Sequence, residues 1–193
     1  MLEKKGLVFE KRGKFFLKKN HRGQIWVETV IYTLIAFSLM GLVLAFVVPK
    51  VKEIQSKGII EQSIGVLQDI DSLIRGLGGP GNQRILELGI QEGSLTIDPV
   101  NEKIFFYLES SYQYSEPGEK ITVGEIDVFT ESKNDKLSLV TLSLNYEGEY
   151  NINYQNRDES KTLSRAPTPY IIVISDEGQD SSGKIIIKIE VNE

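Results

Sequence analysis

Acid–base and nucleophilic catalysis need side chains that change protonation near neutrality, and this sequence has almost none. Its 193 residues contain no cysteine and a single histidine, His21. A papain-like pair or a Ser-His-Asp triad therefore has no base beyond that position, and zinc sites built on sulfur or imidazole have no ligands. Carboxylates are plentiful, with 27 Asp and Glu. A glycosidase would need two of them paired, but no spacing singles out a pair, and a solvated acidic surface accounts for them. Asp176, Glu177 and Asp180 are close enough in sequence to hold Ca²⁺ weakly, yet they lack the spacing of an EF-hand loop. Gly76, Gly78, Gly79 and Gly81 suggest a phosphate loop until the context is read. No Gly-Lys-Ser/Thr follows and no strand precedes, so a hinge is expected. No catalytic, cofactor-binding or metal residue is predicted, and an enzyme is not the expectation.

One carboxylate stands apart. Glu28 closes the stretch Arg22-Gly23-Gln24-Ile25-Trp26-Val27-Glu28 and is followed by twenty uncharged residues, 29–48. As a helix that run reaches about 30 Å, the thickness of a bilayer's hydrocarbon core. A carboxylate at its rim is costly and is read first as functional; the plainer account puts Glu28 at the lipid interface, close enough to water to stay ionised. Charge is distributed unevenly on the two sides. Residues 1–23 carry eight Lys/Arg against two Glu, whereas the remainder carries 14 Lys/Arg against 25 Asp/Glu. Positive charge marks the cytoplasmic side of a membrane segment. The acidic part is thus expected outside, and its sign argues against a nucleic-acid partner.

The sequence Arg22-Gly23-Gln24, with Glu28 four residues on and a long apolar run behind it, resembles the class III signal peptides of archaeal type IV pilin-like proteins. The resemblance covers about 30 residues. It implies that a prepilin-type membrane peptidase cuts after Gly23, so that the mature chain starts at Gln24 with Glu28 as its fifth residue. It also implies a role for Glu28 in a filament core, facing the new α-amino group of Gln24 on a neighbouring subunit and so setting axial register. A buried charge is tolerable only when paired. The alternative is an uncleaved signal anchor, since no Ala-x-Ala follows the apolar run.

The elements that position these residues follow from periodicity. A basic cytoplasmic leader spans 1–23 and a long helix spans 24–77, with residues 25–48 as its transmembrane or filament-core half. Pro49 should kink that helix by removing one backbone hydrogen bond. Gly41 and Ala45 form a small-xxx-small pair suited to close helix packing. Beyond Pro49, the spacing Ile60, Ile64, Leu67, Ile70 or Asp71, Ile74, Leu77 predicts an amphipathic continuation. Residues 78–83 form the Gly-rich hinge.

From 84 to 193 the period becomes that of strands. Seven are predicted, around Leu95–Ile97, 103–109, Ile126–Val128, 137–146, 150–154, 170–175 and 185–191. A one-residue phase change suggests a β-bulge near Leu139-Val140. Residues 166–169 and 176–183 read as loops. Most of the eight tyrosines fall on strands as packing residues. Without cysteine the head has no disulfide, so it needs a true hydrophobic core. There is no Asn-x-Ser/Thr sequon for N-glycosylation.

The expected fold is α+β: a long N-terminal helix, apolar then amphipathic, followed by an antiparallel β-sandwich-like head. The expected function is that of a structural subunit of a type IV pilus-like cell-surface filament. Its partners are the membrane, the peptidase and identical or related subunits, and no cofactor is expected. The competing expectation is an unprocessed, single-pass anchored membrane protein carrying an extracellular β binding domain.

Overall fold

The computed structural model describes residues 21–134 and 136–192, with side chains from Trp26 onward. The leader up to residue 20, the side chains of residues 21–25, and Asp135 and Glu193 lie outside the described residues. The chain divides between Val47 and Val48 into two units.

One helix, α1 (His21–Arg75), runs through Pro49. The imide nitrogen there has no hydrogen to donate, so one intrahelical bond is missing. Every side chain over residues 26–50 is exposed. Further on the helix is amphipathic. Ile60, Ile64, Leu67, Ile70 and Ile74 are buried, three or four positions apart, while Lys57, Glu61, Gln68 and Asp69 face water. Arg75 occupies the last turn, where a cation suits the negative end of the helix dipole. Gly76 follows because a Cβ at that point would lie 2.8 Å from the Ser72 carbonyl oxygen.

Ten strands follow: β1 (Gln83–Leu88), β2 (Ser94–Asp98), β3 (Lys103–Ser110), β4 (Lys120–Val123), β5 (Ile126–Asn134), β6 (Leu137–Asn145), β7 (Tyr150–Tyr154), β8 (Lys161–Ser164), β9 (Tyr170–Gln179) and β10 (Ile185–Asn192). They form a four-stranded sheet, β1-β9-β10-β7, and a six-stranded sheet, β4-β5-β6-β3-β2-β8. β10 and β7 run parallel; the other pairs are antiparallel. The architecture is α+β with a sandwich-like head. Its core is one contiguous cluster, to which both sheets and the apolar stripe of α1 contribute.

Three details differ from the sequence reading. β1, β4 and β8 were not among the seven predicted strands. The phase change at Leu139-Val140 is not a bulge, because the register is unbroken there against both β3 and β5. Instead, Ser138 occupies an inward position beside Val140, Leu142 and Leu144, and Leu137 and Leu139 point outward. The irregularity of that pair lies between Ser132 and Asn134, at the hairpin. Residues 176–179 belong to β9 rather than to a loop. The glycine-rich segment is held at its far end: Gly81 N–H donates to the Asp176 carbonyl at 2.8 Å and Asp176 N–H donates to the Asn82 carbonyl at 3.0 Å. These bonds lead directly into β1.

Candidate functional site

The first unit offers a bare apolar helix. Sixteen large apolar side chains between Trp26 and Val48 are exposed, among them Trp26, Leu42 and Phe46 at 70%. Fully burying one such side chain gains about 1.5–3 kcal/mol, so leaving sixteen in water forfeits tens of kcal/mol. A domain's whole stability is only about 5–15 kcal/mol. This surface belongs against lipid or protein. The helix is long and apolar enough to cross a membrane.

Two hydroxyls inside the run fit an apolar setting. Thr33 Oγ1 donates to the Thr29 carbonyl at 2.7 Å and Ser38 Oγ donates to the Leu34 carbonyl at 2.8 Å. Each is satisfied within the helix, as lipid requires of polar groups. Just beyond the run, Lys50 pairs with Glu53 at 2.6 Å.

The residues singled out in the sequence lie along this one helix. The Gly23–Gln24 bond is within the α1 backbone. Glu28 is exposed, with no hydrogen bond or ion pair to another described residue. Gly41 and Ala45 are exposed, and a Cβ added at Gly41 would meet nothing within 4 Å. At 100° per residue, Glu28 stands roughly 100–140° around the axis from Gly41 and Ala45. The helix therefore does not bring them together on one face. Pro49 lies inside the helix.

The second unit holds a polar network that the periodicity only hinted at, through Asp71 standing in an apolar stripe. Asp71 is buried, and its carboxylate receives Arg75 Nε at 2.9 and 3.1 Å and the Tyr146 hydroxyl at 3.1 Å. Arg75 continues to Glu149 at 3.0 Å. Burial, then the neighbouring Asp71 charge, pushes the Tyr146 hydroxyl pKa far up, so it remains a donor. These groups join α1 to the β6–β7 turn.

The three carboxylates considered for Ca²⁺ do not converge. Asp176 is buried and accepts Gly178 N–H at 2.7 Å. Glu177, on the other face of β9, pairs with Lys188 at 2.9 Å. Asp180 caps the β9–β10 hairpin, accepting Ser182 Oγ at 2.6 Å, Ser182 N–H at 2.8 Å and Lys184 N–H at 3.0 Å. The Ser182 hydroxyl bond is the main reason its pKa is held down at about 2. Among the described residues, no group of three or more His, Asp or Glu is arranged to hold a metal ion.

No family model, no curated protein and no solved structure matches this chain.

Proposed function

We propose that the chain is a structural subunit of a type IV pilus-like cell-surface filament. It enters the membrane with its basic leader in the cytoplasm. A prepilin-type peptidase removes residues 1–23, and copies then assemble through their N-terminal helices. The observation that carries this reading is the exposed, uncharged and mostly apolar helix surface over residues 29–48, headed by the carboxylate of Glu28. Lipid alone accounts for the apolar surface but leaves Glu28 at a cost. A filament accounts for both, because neighbouring helices cover the apolar side chains and the mature α-amino group at Gln24 offsets the Glu28 charge.

The test is the N-terminal mass of the protein recovered from its native membrane or cell surface. A chain beginning at Gln24 is the expected result. A chain retaining Met1 to Gly23 overturns processing, and with it the filament. It leaves a signal-anchored membrane protein with an extracellular β binding domain.

A further inference from the structure

We propose that the head carries a binding groove for a neutral polysaccharide, walled by α1 on one side and the β1–β2 loop on the other. An open surface depression of about 680 Å³ lies between them, lined by Gln55, Gly58 and Gln62 of the helix and by Gln91 and Glu92 of the loop, among others. A second, of about 670 Å³, shares Gln91 and Glu92 and continues to Arg165 and Pro167. Together they make a shallow, open trough with Gln91-Glu92 as the common wall.

The chemistry of the walls selects the ligand. Gln55, Gln62, Gln91 and Glu92 are exposed, and none takes a hydrogen bond or ion pair from another described residue. Three side-chain amides and a carboxylate thus offer water-facing donors and acceptors along one open surface. An amide both donates and accepts, as a sugar hydroxyl does. The charges bordering the two cavities balance, with Lys52 and Arg165 against Glu92 and Glu109. A phosphate or nucleic-acid ligand would need a surplus of positive charge. A cation would need converging carboxylates, and Glu109 is already paired with Lys133.

Two glycines shape the trough. Gly58 is in the helix interior, where glycine is unfavourable. A Cβ there would meet nothing within 4 Å, so the chain's own packing does not ask for it. Its bare backbone keeps the groove floor low. Gly93, with φ +81°, lets the loop lie on β3; a Cβ would be 2.3 Å from the Tyr107 carbonyl oxygen. That close approach sets Glu92 at the edge of the trough; a smaller adjoining depression, which Glu92 also lines, carries the partly exposed Tyr107, an apolar face for sugar C–H groups. Gln55 and Gln62 are two turns apart on the same side of the helix, about 10 Å along its axis. The spacing suits an extended polymer rather than one small molecule.

The test uses the full chain, unassembled, in a detergent without sugar headgroups. The probes are neutral hexasaccharides of α-glucan, β-glucan and mannan, with dextran sulfate as the charged comparison, read by saturation-transfer NMR and calorimetry. At least one neutral probe should bind with little salt dependence. Gln91→Ala and Glu92→Ala should each weaken it about tenfold, the value of one lost hydrogen-bonding group. Gly58→Phe, on an exposed helix position, should abolish it with the fold's unfolding temperature retained. The proposal is overturned if no neutral probe binds, if binding survives Gly58→Phe, or if only dextran sulfate binds. It is also overturned if Gly58→Phe instead removes self-association, which assigns the groove to a second copy. The sugar-binding outcomes are read on unassembled chains and so do not depend on the filament reading.

Discussion

The Tyr146 hydroxyl reaches Asp71 Oδ1 across 75 positions of sequence, at 3.1 Å in the buried interior. The bond joins the end of α1 to the turn after β6, and Arg75 extends it to Glu149. Tyr146→Phe keeps the ring and removes one donor, leaving Asp71 with Arg75. It should cost about 1–2 kcal/mol in urea unfolding. Asp71→Ala strands a buried hydroxyl and releases Arg75 as well, so it should cost about 2–3 kcal/mol. If the tyrosine variant is the weaker of the two, the network does not hold the helix in the way described.

Glu28→Ala separates insertion from assembly. Removing a carboxylate at the rim of an apolar run makes membrane entry easier, so membrane yield should be unchanged or higher. Filaments sheared from the cell surface should drop sharply if Glu28 sets axial register. Unchanged filament yield would sink that role.

Gly65 and Gly93 should respond in opposite directions to the same added methyl group. At Gly65, inside α1, a Cβ meets nothing within 4 Å. Gly65→Ala should stabilise the head by about 0.5–1 kcal/mol through helix propensity. Gly93→Ala forces a left-handed backbone onto an L residue and a Cβ against a β3 carbonyl. A loss of about 3 kcal/mol or more is expected. Paired thermal unfolding curves decide it.

Asp180 predicts an acid limb. Its folded pKa, about 2, lies below the usual carboxylate value because Ser182 and Lys184 donate to the ionised form. The ionised capping group thus favours the hairpin above about pH 4, and that contribution is lost as the pH falls towards 2. Asp180→Asn should flatten the acid dependence of unfolding over that interval and leave neutral behaviour little changed. Amide exchange across β9–β10 at pH 2.5 and pH 5 measures it.

The strands that periodicity failed to reveal are β1, β4 and β8, and all three are sheet edges. Only Leu88 in β1 and Leu163 in β8 are buried, and β4 buries nothing. An edge strand has one ladder partner and little core to face, so its alternation is faint and its pairing depends on the neighbour's backbone. Central strands such as β6 and β10 read clearly because one face is fully covered. Ser138 misled the phase of β6, since a hydroxyl took an inward place that pattern reading reserves for an apolar side chain. In α1 the apolar run and Glu28 were legible from composition alone. The trough was not, because Gln55, Gln62, Gln91 and Glu92 are polar residues from two distant segments, with no period to link them. Asp71 was visible only as an interruption, and its partner Tyr146 lies too far along the chain for any local signal.

The placement of β10 in the middle of its sheet, between β9 and β7, governs the order in which the head can be built. The six-stranded sheet contains the short-range hairpins β2–β3, β4–β5 and β5–β6, with loops that close cheaply. The four-stranded sheet has one such hairpin, β9–β10, but its β1–β9 ladder brings Gln83 to Ser175, a separation of roughly ninety residues. Non-local pairing of this kind is slow. Translation reaches β10 only after every strand of the larger sheet, so β7 and β9 wait with open edges until it arrives. A head interrupted before β10 would leave β7 without its ladder partner and one edge of β9 open, and open strand edges invite aggregation.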